Sequence, residues 1–159
     1  MHGLLKGKPK TRRGAAAVEL AIVAPLFVTL MLGVAEASRL FHAQNQLALA
    51  AREGARLAAM DRTGMLGEGV TTNAKVAADI QHFLAANGLP GDDVDVFIVD
   101  PDDHTTTFDL DDPANDLKLF EVRVELPYSE LGGFGGSSSN DWNLSAAIVF
   151  RNARATLVQ

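Results

Sequence analysis

The chain has 159 residues, with fourteen Lys and Arg against twenty Asp and Glu, and no Cys. That length suits one domain plus a membrane helix. The 47% hydrophobic content argues against a disordered chain, and the missing Cys excludes a disulfide framework or a thiolate metal site. Charge is unevenly placed: Lys6, Lys8, Lys10, Arg12 and Arg13 precede residue 15 with no acid among them. The other 145 residues hold nine basic and twenty acidic side chains, a formal net of −11. Such an acidic body argues against phosphate-backbone binding, so no nucleic-acid partner is expected.

Residues 1–14 read as an unstructured basic leader, with Gly3, Gly7 and Pro9 opposing a helix. From Ala15 to Ala35 the one ionisable residue is Glu19. A helix of about 21 residues is roughly 32 Å long, enough to cross a hydrocarbon core. The basic leader then stays cytoplasmic and the acidic body crosses, by the positive-inside rule. A carboxylate in such a segment costs roughly 2.5–3.5 kcal/mol on insertion scales, so Glu19 calls for a functional partner. Pro25 removes one backbone hydrogen bond and permits a local kink.

Helical character continues past the apolar run. Residues 36–60 are rich in Ala, Leu, Gln, Arg and Glu. Leu40, Ala43, Leu47, Ala50 and Ala51 form an amphipathic stripe, and Glu36–Arg39 and Glu53–Arg56 have pairing spacing. Asp61–Thr72 is a Gly-rich connection. A second helix is expected from about Asn73 to Asn87, with Val76, Ile80, Phe83 and Leu84 inward and Gly88 and Pro90 ending it. Asp95–Val99 reads as a strand. Residues 100–116 form an Asp-dominated turn with a hairpin arm at Thr105–Phe108. Lys118–Leu126 alternates cleanly as a strand, Gly132–Asn140 is a loop, and Leu144 to about Thr156 is a last strand. The expected fold is α+β. A long N-terminal helix, membrane-spanning over 15–35 and soluble over 36–60, precedes a body at 61–159. That body holds a second helix and a small antiparallel sheet of at least three strands.

Arg13-Gly14-Ala15-Ala-Ala-Val-Glu19, the apolar run with Pro25, and Gln44 through Ala51-Arg52-Glu-Gly-Ala-Arg56 resemble the TadE-like pseudopilins of the tight-adherence (Tad/Flp) pilus system. The resemblance is densest over residues 12–60. Val122–Tyr128 and Leu144–Arg151 resemble the family's strand–loop–strand finish. The resemblance implies a structural protein, not an enzyme, held in the inner membrane by a single pass with its body periplasmic. It implies cleavage by a prepilin peptidase at Gly14–Ala15, which makes Glu19 the fifth residue of the mature chain. The Glu19 carboxylate then meets the α-ammonium of a neighbouring subunit and favours the positive end of its own helix. Implied partners are the peptidase, other pilin-like subunits, the Tad machinery and membrane lipid. No cofactor is implied.

Rival readings stand beside these. A signal peptide would use Ala35-Glu36-Ala37 and release the chain at Ser38, against Glu19 and a helical pattern running through Ser38. A plain uncleaved anchor would carry an extracytoplasmic binding domain unrelated to pili. Small residues at Ala15–Ala17, Ala21, Ala24 and Gly33 favour close helix approach or simply reflect an Ala-rich chain. The Asp cluster supplies hard oxygen ligands without EF-hand spacing, and reads as a solvated acidic loop. His2, His42, His82 and His104 lack metal-ligand spacing, and no nucleophile elbow supports a hydrolase. Arg52 and Arg56, one turn apart, are either partner contacts or ordinary solvated charges.

Overall fold

The computed structural model describes residues 12–60, 66–67, 69–132 and 142–153. The expected leader through Thr11, much of the Gly-rich connection, the Gly-rich loop at 133–140 and the last strand's end beyond Ala153 lie outside them. Two units divide between Arg39 and Leu40. Helix α1, Arg12–Ala58, contributes to both. It starts earlier than the sequence suggests, taking in Arg12, Arg13 and Gly14.

In the first unit α1 carries no charged side chain on any side over residues 20–35. Its large side chains are exposed, Ile22 at 73%, Leu26 at 71% and Met31 at 70%. Pro25 lies inside a helix that stays continuous, and Thr29 Oγ1 donates to the Pro25 carbonyl at 2.9 Å.

In the second unit the α1 stripe is buried as its spacing requires: Ala43, Leu47, Ala50, Ala51, Ala55 and Ala58 are each at most 1% exposed. Helix α2, Thr72–Ala86, turns Val76, Ile80 and Leu84 inward, with Phe83 packed at the margin. Thr71 Oγ1 caps its start by accepting the Ala74 N–H. Gly88, at φ 83°, ends it, and the Leu89 N–H returns to the Leu84 carbonyl. The helices meet where α1 has no side chain. A Cβ on Gly54 would lie 2.3 Å from Ile80 Cδ1 and 2.7 Å from its Cγ1.

Strands β1 (Asp95–Val99), β2 (Leu119–Pro127) and β3 (Asn143–Arg151) form one antiparallel sheet in that order. Asp95 pairs with Glu125 and Glu125 with Ser145. Phe120, Val122, Val124 and Leu126 face the common core, while Glu121, Arg123 and Glu125 alternate onto the opposite face. Period-two patterning has done what it does in any half-buried strand. The expected hairpin arm at Thr105–Phe108 is present but too short to be a strand: Thr107 bridges Val99 antiparallel, the Asp100 N–H donates to the Thr106 carbonyl, and the Phe108 N–H to the Ile98 carbonyl. Asp103 shapes the turn before it, accepting from the Thr105 N–H and from the hydroxyls of Thr105 and Thr106.

Gly54→Ala is expected to lower stability by about 1–3 kcal/mol through overpacking, and Ile80→Val in the same chain to recover part of it by removing Cδ1. Chemical denaturation of the single and double variants checks this.

Candidate functional site

The residues singled out from the sequence fall in two places. Gly14, Ala15 and Glu19 lie on the exposed N-terminal part of α1, in the first unit. Nothing among the described residues stands within 4 Å of where a Gly14 Cβ would be. Among the described residues α1 is the one helix long and apolar enough to cross a membrane, and none of its apolar window is buried within the protein. A core helix of a soluble protein would be covered. This helix suits anchoring in lipid.

Arg52 and Arg56 belong to the second unit. Arg52 is exposed. Arg56 forks onto Glu53, its Nε donating at 3.0 Å and its Nη2 to the other oxygen. That bond holds the Glu53 carboxyl below its ordinary value and raises the guanidinium. Arg39 likewise lies 3.7 Å from Glu36.

The Asp-rich segment is organised more tightly than its composition suggests. The Asp111 carboxylate accepts from the Thr72 N–H at 2.7 Å and the Thr72 hydroxyl at 2.6 Å. It thereby places negative charge on the first turn of α2, where the helix dipole favours it. Asn73 bonds the same segment twice, donating to the Phe108 carbonyl and accepting from the Leu110 N–H. Asp100, Asp109 and Asp112 each accept a backbone N–H two residues on. Among the described residues no group of three or more His, Asp or Glu side chains is placed to hold a metal ion.

A polar cluster on the outer sheet face escapes sequence reasoning. Glu121 is buried, only 6% exposed. His104 Nδ1 lies 3.2 Å from its Oε2, and Arg123 Nε lies 4.0 Å from its Oε1. Arg123 also reaches Glu125 at 3.4 Å, donates from Nη2 to the His104 carbonyl, and sits over the Phe97 ring. The cluster fastens the Asp-rich turn to β2. The alternation of Glu121, Arg123 and Glu125 was visible in the sequence; His104, seventeen residues before Glu121, gave no local signal.

Within that turn the hydroxyl of Thr106, then the hydroxyl and N–H of Thr105, hold the Asp103 carboxyl down to about 2 from 3.8. A depressed carboxyl contributes stability above its unfolded value, and that contribution is lost as pH falls from about 4 toward 2. Replacing both Thr105 and Thr106 with Ala is expected to return the Asp103 titration toward the ordinary Asp range, read by carboxyl-carbon NMR.

Neither the curated proteins nor the solved structures yield a match to this chain. Residues 14–56 match the family described as TadE-like protein. That match begins at Gly14, contains Glu19 and the exposed apolar helix, and ends at Arg56 within the buried Ala stripe. Over residues 14–56, the chain is assigned to the TadE-like family.

Proposed function

We propose that this protein is a pseudopilin-like structural subunit of a Tad-type pilus, matured by a prepilin peptidase at Gly14–Ala15. The observation that carries the proposal is the coincidence of the TadE-like match with an apolar helix whose membrane-length window has no cover among the described residues. The helix crosses the inner membrane once, with the basic leader cytoplasmic and the acidic body periplasmic, in keeping with the charge asymmetry.

Cleavage at Gly14 creates an α-ammonium at Ala15 and makes Glu19 the fifth residue. Both charges sit at the start of an apolar helix, where water is scarce. A carboxylate on one subunit and an ammonium on the next relieve one another when the helices stack, with head-to-tail contacts extending the assembly. Removing one member of a buried ion pair typically costs about 3–5 kcal/mol. Glu19 therefore acts in assembly and not in catalysis. Arg52 and Arg56 present positive charge on the soluble half of the helix for other pilin-like subunits or the pilus machinery.

N-terminal mass spectrometry of the protein from native membranes is expected to show a chain starting at Ala15, lost when the peptidase is deleted. A chain starting at Ser38 would mean a signal peptide, and an intact leader a plain anchor carrying a binding domain. Glu19→Ala is expected to leave the protein in the membrane but to cut pilus output strongly. Undiminished pili on the cell surface would remove the assembly role.

A further inference from the structure

The two edges of the sheet are treated differently. The β1 edge is covered at its two ends: Gln81 donates to the Val94 carbonyl just before it, the Phe108 N–H to the Ile98 carbonyl, and Thr107 bridges Val99. The β3 edge is nine residues long and carries no Pro, no Lys and one charge, Arg151. Its direction can be read from its ends. The Trp142 carbonyl accepts from the Tyr128 N–H, and the Asn152 N–H donates to the Lys118 carbonyl. Even-numbered residues therefore turn their backbone groups toward β2. Ser145, Ala147 and Val149 turn theirs outward, and among the described residues the one bond made to this edge is from Gln44 to the Ser145 carbonyl. Natural sheets usually blunt such an edge with Lys, Pro, a bulge or a cover. This chain does so at β1 and not at β3.

We infer that the β3 edge receives an extended segment of another protein, one that alternates apolar and basic residues. Charge complementarity selects that chemistry. Residues 40–159 hold eighteen acidic and eight basic side chains, so a second copy brings like charge while a basic strand brings the opposite. On the outer face Ser145 is small and stands opposite Glu125 of β2, a partly exposed acid, while Ala147 stands opposite Arg123 and Val149 opposite the buried Glu121. An added strand lies ~10 Å from β2, within the joint reach of a lysine and a glutamate. On the inner face it meets Ile148 and Phe150, the latter 40% exposed, which suits apolar residues at alternate positions. Main-chain bonds supply affinity and alternate side chains supply selectivity, as in other strand additions. The inference is independent of the proposed pilus role.

The test uses the full chain in detergent micelles and an alternating valine–lysine heptapeptide, read by the emission of Trp142, the chain's single tryptophan, which adjoins β3. Saturable binding is expected, weakened about tenfold or more, roughly 1.4 kcal/mol, in Val149→Pro, whose outward N–H makes Pro tolerable at this edge. In antiparallel addition the lysine N–H groups face β3, so a peptide N-methylated at its lysines is expected not to bind, while one methylated at its valines still binds. That arm decides the question even if the Pro variant fails to fold. Equal binding of a valine–glutamate peptide, equal binding of an isomer with valines and lysines in separate blocks, or indifference to N-methylation would overturn the inference. So would self-association of the chain alone that Val149→Pro abolishes, since the occupant would then be a second copy.

Discussion

The second unit depends on how closely α1 and α2 approach. Gly54 lets Ile80 enter the space a side chain would fill, and the Ala residues around it keep the rest of the seam shallow. Bulk is supplied from the other side, by Ile80 and Leu84 of α2 and Phe120 of β2, all buried. A seam of small residues with large ones opposite packs densely without strained rotamers. It also explains why the soluble half of α1 is so rich in Ala. Ala is a strong helix former, and here it is equally the residue that lets a neighbour in.

The acidic segment between the strands plays a structural part through its own carboxylates. Asp111 closes the exposed amides at the start of α2, Asn73 fixes the backbone beside it, and Asp103 shapes the turn that carries His104 to Glu121. A run of Asp would otherwise repel itself and unfold locally. Each of these carboxylates instead accepts N–H or O–H groups, so the segment is held by hydrogen bonds to its own acids. The positive φ of Leu117, 62°, belongs to the same economy of bonds. Its N–H is taken by the Asn152 carbonyl, and Asn152, fully buried, bonds back to Lys118 and Asn115. A Leu in that backbone region is strained and is held there from both sides.

Periodicity was enough to find both helices and all three strands. The stripe from Leu40 to Ala51, the inward set on α2 and the alternation of β2 recur in the structure because burial on one face imposes those spacings. Asp95–Val99 was located to the residue, while β2 and α2 differ by one at their ends. What stayed hidden were contacts between residues far apart in sequence. Thr72 and Asp111 are 39 positions apart, and no local pattern joins them. The Thr105–Phe108 arm is shorter than its composition suggests: Asp103 with its two Thr neighbours takes the first residues into a turn, and one bridge, Thr107 to Val99, follows. At the N-terminal site, Glu19 was conspicuous because an acid inside an apolar run is expensive wherever it occurs, and that signal needs no fold.

Thr29 gives the apolar helix an unusual simplicity. Between Ala15 and Ala35 only Glu19 and Thr29 have polar side chains, and the Thr29 hydroxyl is folded back on the Pro25 carbonyl. It satisfies its donor within the helix and offers little to a neighbour. In lipid, where polar contacts between helices help decide which surfaces adhere, this span thus speaks through a single side chain. Its remaining vocabulary is shape: the fit of small and large apolar groups, which holds surfaces together but discriminates among partners poorly.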